Sequence, residues 1–146
     1  MKLDRDRLQK YLDLIAAETI DVEGLFTLES QKKISIAGNQ TVLKSLKYST
    51  IVIAEAIASV LQHILAKKHN TVIDGYTSVF VKSREKQIIS DNLMARLQPF
   101  IQFRNMLVHQ YWRVDEHVFV QNLSAGLKDF HEFVTEINQL VDKDSK

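Results

Sequence analysis

The sequence predicts an all-α fold: an antiparallel bundle of four main helices plus one short helix, forming one domain over residues 1–146. Three observations predict it. The 146 residues contain only four Gly and one Pro, too few breakers for many short strands and turns. Apolar residues make up 45% and charged residues 25%, the balance of a chain able to bury a core. Apolar side chains also recur at alternating spacings of three and four, which lines them up on one face of a helix.

The first helix is expected from about Asp4 to Glu29, where Leu8, Leu12, Ile15, Val22 and Phe26 share a face. Residues 30–39 read as a loop ending in Ala37-Gly38-Asn39. The second helix is expected from about Gln40 to Lys68, with Leu46, Ile53, Ile57, Val60 and Ile64 as its stripe. A second face carries Val52, Ala56 and Ser59, small enough for a neighbouring helix to come close, together with Glu55. Glu55 there requires a cation or hydrogen-bond donors, because an unpaired buried carboxylate is costly.

Residues 69–75 are a break, and a short helix is expected from Tyr76 to Lys86. Ser90 reads as an N-cap, with Asp91 favourable in the first turn of a helix expected to reach about Tyr111. Pro99 lies inside that helix and predicts a kink or a restart near Gln98. Asp115 is the next N-cap, and the last helix is expected to run to about Asp142. Its Val120, Leu123, Leu127, Phe130, Val134, Ile137 and Val141 make the apolar seam of a bundle or a helix–helix dimer.

The composition narrows the chemistry. There is no Cys, which excludes disulfides, thiol catalysis and thiolate metal sites, and which fits a reducing compartment. The five His residues (63, 69, 109, 117 and 131) include no i, i+4 pair and no HExxH, so no metal site is expected. The four glycines are isolated, so no phosphate-cradling loop and no cofactor are expected. The start, Met1 to Asp6, lacks the apolar run of a signal peptide, and Thr50 to Leu65 is interrupted by Glu55, Gln62 and His63. A cytoplasmic protein with no membrane partner is the expectation.

The net charge of +1 conceals an asymmetry. Residues 31–114 carry twelve Lys or Arg against four Asp or Glu, net +8, while the two ends together are net −7. A basic middle attracts polyanions by counterion release. An uneven but solvated surface accounts for it equally well, because no compact Lys/Arg run is present.

One stretch stands apart. In the fourth long segment Leu93, Leu97, Phe100, Leu107 and Tyr111 fall on one stripe, and the member between Phe100 and Leu107 is Arg104. A guanidinium cannot lose its charge, so on a core-facing line it is either paired, with Glu55 as the candidate partner, or set in a polar cleft. His109 is five residues on, about 140° around the helix, so a straight helix does not place it beside Arg104. The two can still border one cleft between helices or between subunits. Trp112 and Phe103 flank the stretch, either to stack RNA bases or, better supported by general burial trends, to pack an interface.

Arg104-x4-His109-x-Tyr111, with the polar Asn105 after the arginine, resembles the motif of the HEPN superfamily, specifically its HepT-like branch. Ile53-Ala54-Glu55-Ala56 is similar to that family's acidic helix. Tyr76-Thr77-Ser78-Val79-Phe80, Ile88-Ile89-Ser90 and Val114-Asp115 resemble the segments around the motif, so the likeness extends from about residue 40 to 140, while residues 30–39 match nothing in it. The resemblance implies a metal-independent endoribonuclease, active as a homodimer with its cleft at the subunit interface. Arg104 and His109 are then the catalytic pair on an RNA substrate whose own 2′-OH is the nucleophile, and Asn105 and Glu55 support them. It also implies a minimal nucleotidyltransferase antitoxin as partner, with Tyr111 as the target of AMP transfer. Two rival readings use the same fold: a non-catalytic interaction or substrate-binding subunit for a nucleotidyltransferase, and a purely structural helical dimer.

Overall fold

The computed structural model describes residues 2–144, and every regular element among them is helical. Met1, Ser145 and Lys146 of the expected domain lie outside the described residues. The main helices are α1 (Arg5–Ser30), α2 (Gln40–Lys68), α4 (Asp91–His109) and α5 (Glu116–Asp144), and the short helix is α3 (Tyr76–Glu85). Side-chain caps start all four main helices, those at Ser90 and Asp115 where the sequence expects them. Asp4 accepts from the Arg7 N–H, Ser90 from the Leu93 N–H and Asp115 from the Val118 N–H. Asn39 does the same for α2 through the Val42 N–H.

The main helices form a closed ring in which α1 meets α2, α2 meets α4, α4 meets α5 and α5 meets α1, while α3 lies against α2 and α4. Polar contacts fix each pair as antiparallel. The Asp4 N–H donates to His63 and the Ser49 hydroxyl to Glu18 across α1 and α2. Arg5 reaches the Val141 carbonyl and His131 reaches Glu23 across α1 and α5. Ser90 bonds Glu136 and Arg96 bonds Asp129 across α4 and α5. The core fills the ring, with Leu8, Leu12, Ile15, Leu46, Ile53, Ile64, Leu93, Phe119, Leu123, Phe130, Phe133 and Ile137 at 2% exposure or less.

α4 packs tightly on α5 at Gly126, where a Cβ would stand 2.2 Å from Cζ of Phe100. The Phe100 ring is itself fixed edge-on against Phe130, 4.8 Å between centroids. α2 is the described helix long and apolar enough to cross a membrane, but 67% of that window is buried inside the bundle.

Of the kink or restart expected at Pro99, no restart occurs, and α4 is one helix from Asp91 to His109. The hydrogen bond that Pro99 cannot make would go to the carbonyl of Ala95, a small, exposed residue, so the lost bond falls on the solvent side of the helix. α4 ends at His109 instead of Tyr111, and a separate 3-10 turn spans Tyr111–Arg113. Tyr111 therefore leaves the apolar stripe and is 48% exposed. Phe103 is buried edge-on against Phe119 and is no surface for an RNA base, whereas Trp112 is exposed.

Candidate functional site

Arg104 sits on the α4 line between two buried residues, Phe100 and Leu107, yet it faces α2 and α3 at the edge of the core. Its side chain is only 16% exposed. Nε and Nη2 both donate to one oxygen of Glu55, at 3.2 and 2.9 Å, and Nη1 donates to Oδ1 of Asn105 at 3.1 Å. The Tyr76 ring lies against the guanidinium, 4.1 Å from its central carbon to the ring centroid. Glu55 stays 49% exposed, so the pair borders solvent rather than being sealed in the core. A guanidinium has five N–H groups, and these three bonds leave two without a partner among the described residues, a set that suits two oxygens of a phosphate.

Tyr76 arrives at this place by backbone geometry. Gly75 caps α3 at φ +99°, a conformation L side chains rarely adopt, and the next residue starts the helix facing α2 and α4. Burial pushes the Tyr76 phenol well above its ordinary titration range, against the nearby Arg104 charge, and its hydroxyl is buried without a hydrogen-bond partner.

A second polar contact lies farther along α2. Nζ of Lys47 donates to the Tyr111 hydroxyl at 3.1 Å, lies 4.5 Å from the centroid of the same ring, and pairs with Glu116 at 3.2 Å. Lys47 is 6% exposed. Burial works against its charge, but the Tyr111 hydroxyl and the Glu116 carboxylate outweigh that and hold its ammonium above the ordinary value. Lys47 and Glu55 are eight residues apart on α2, so the two contacts lie about 12 Å apart along the helix.

His109 is the last residue of α4 and exposed, and its imidazole makes no hydrogen bond or ion pair to another described residue. The helix rises about 7.5 Å between Arg104 and His109 and turns by about 140°. One chain therefore joins Arg104 with Glu55 and Asn105, and Tyr111 with Lys47, but does not bring His109 onto Arg104.

Sequence reasoning missed Lys47 and Tyr76. The signal for Lys47 was the one that exposed Arg104. Leu43, Lys47, Thr50, Ala54, Ile57, Leu61 and Ile64 alternate spacings of four and three, and all are buried, so Lys47 is a cation on an apolar line. Tyr76 offered only its place after a lone glycine.

The family model described as "Ribonuclease HepT-like" matches residues 7–137. No curated protein matches the chain. Among solved structures, a tri-AMPylated HEPN toxin of Shewanella oneidensis, in complex with its MNT antitoxin, superposes with a TM-score of 0.80 at 19% identity. The match covers 92% of this chain and 98% of that one. A toxin–antitoxin structure with AMP-PNP gives 0.77 at 19% identity over the same shares. YutE of Bacillus subtilis, described as a cytosolic protein of unknown function, gives 0.80 at 13% identity and covers 97% of this chain and 93% of that one. At these identities the structures establish the fold, and the family match establishes the lineage: this chain belongs to the HepT-like ribonuclease family.

Proposed function

We propose that this chain is a metal-independent endoribonuclease, the toxin of a cytoplasmic HEPN/nucleotidyltransferase toxin–antitoxin pair, working as a homodimer. The observation that carries the reading is Arg104: a permanently charged side chain held by Glu55 and Asn105 with two N–H groups left over. RNA supplies its own nucleophile, so the protein needs only proton transfer and charge stabilisation. The 2′-OH gives up its proton as its oxygen attacks the neighbouring phosphorus. The 5′-oxygen leaves and takes up a proton, which yields a 2′,3′-cyclic phosphate and a free 5′-OH.

In this scheme the two spare Arg104 donors meet the extra negative charge on the five-coordinate phosphorus. Imidazole is suited to moving the two protons near neutral pH. His109 is unengaged and at the helix end, and a two-fold assembly supplies two copies of it, one as base and one as acid. Glu55 and Asn105 orient Arg104. Tyr111, half exposed on the 3-10 turn that follows α4, is the acceptor of AMP from the nucleotidyltransferase. An added phosphate there places negative charge where RNA would bind and pairs with the Lys47 ammonium 3.1 Å from the hydroxyl.

The test is incubation of the purified chain with RNA in excess EDTA, beside a His109→Ala variant. Wild-type cleavage without metal, lost in the variant, is the expected result. Cleavage that requires added metal, or that persists in the variant, refutes the scheme. A second reading is a non-catalytic subunit for a nucleotidyltransferase, favoured by the separation of His109 from Arg104 within one chain. Intact RNA together with a tight complex with that partner identifies it.

A further inference from the structure

We propose that Tyr76 is a positioning residue for Arg104, acting through the face of its ring and not through its hydroxyl. The role rests on the nuclease reading above. Two hydrogen bonds to a single Glu55 oxygen leave the guanidinium free to rock about that oxygen, and the Asn105 bond comes from the neighbouring residue on the same helix. The Tyr76 ring, 4.1 Å away on another helix, is the contact that fixes the plane of the fork and hence the direction of the two spare N–H groups.

The ring is itself well anchored. It stands edge-on to Phe80 with centroids 4.9 Å apart, and the Gly75 turn sets where it leaves the backbone. The hydroxyl contributes nothing to this arrangement, since it is buried without a partner. An aromatic face is required and a phenol is not, which separates this role from proton transfer.

The experiment compares wild type with Tyr76→Phe, Tyr76→Met and Tyr76→Leu. Initial rates on total bacterial RNA in EDTA are measured over a range of RNA concentrations, and the Arg104 Nε–H resonance is followed by NMR. Tyr76→Phe is expected to cleave within about twofold of wild type, to keep the ring-current shift of that resonance, and to melt no lower. Tyr76→Met and Tyr76→Leu are expected to lose about fivefold in kcat, the order of one cation–π contact, with KM changed less than about twofold, and to lose the ring-current shift.

Having two apolar variants guards against one that folds poorly, and the resonance reads the stack independently of activity. Full kcat in a folded Met or Leu variant overturns the proposal. So does an Arg104 resonance that does not respond, or a comparable loss in Tyr76→Phe, which would give the hydroxyl a chemical role. Wild-type protein that leaves RNA intact overturns the nuclease reading itself, and that outcome is visible before any Tyr76 variant is compared.

Discussion

Replacing Arg104 by Met separates a structural arginine from a catalytic one. The Arg104–Glu55 pair is half open, with side chains 16% and 49% exposed. Such a pair contributes on the order of 1 kcal/mol, and the contact with Tyr76 another 0.5–1 kcal/mol roughly. Glu55 is not stranded by the change, because water reaches it, so the roughly 3–5 kcal/mol cost of orphaning a buried charge does not arise. Methionine also restores an apolar side chain between Phe100 and Leu107. The net cost is about 1–2 kcal/mol, a fall of about 2–8 °C in Tm for a chain of this size. RNA cleavage, which loses the donors facing the phosphorane, should drop by about 100-fold or more. Thermal melts by circular dichroism and gel-based cleavage on the same preparation read the two effects. A Tm loss above about 12 °C would show Arg104 to be part of the core, and cleavage within about threefold of wild type would remove it from the chemistry.

Two further predictions concern the scaffold. Gly126→Ala gains about 1 kcal/mol of helix propensity but drives a methyl group to 2.2 Å from Cζ of Phe100, whose ring is held by Phe130. Overpacking of about 1–3 kcal/mol should prevail, so urea denaturation should show net destabilisation, relieved when Phe100→Leu is added; a variant as stable as wild type would contradict the close packing. The His63 imidazole is held below its ordinary 6.5 by burial, with help from the Arg7 and Lys67 charges, and its Nε2 accepts the Asp4 N–H that opens α1. Its folded value is depressed and the unfolded chain binds the proton more readily. Stability is therefore full above pH 6.5 and falls as pH drops toward the folded value, by up to about 1.4 kcal/mol per pH unit. Urea titrations at pH 7.5 and 5.5 should show that loss in wild type and a smaller one in His63→Gln, and equal losses in both would assign it elsewhere.

The helices themselves were written in local pattern. Few breakers, apolar spacings of three and four and caps at Asp4, Ser90 and Asp115 depend on neighbours in sequence, and α2 falls at Gln40–Lys68 as that pattern expects. The same rule made Arg104 conspicuous as a cation on an apolar line, and it applies equally to Lys47. Where the pattern failed, a nonlocal or terminal effect decided. The helix ends before Tyr111, which leaves that ring on a 3-10 turn against Lys47.

Periodicity says which face a side chain takes, not what stands opposite it. The sequence by itself determined the all-α bundle and singled out Arg104, because both follow from the spacing of residues along one helix. The sequence also offered Glu55 as the partner of Arg104, but only the tertiary structure decided for that pairing, laid the Tyr76 ring over the guanidinium face and brought Lys47 to Tyr111. Each of those contacts joins residues dozens of positions apart or more, whose meeting depends on how whole helices pack.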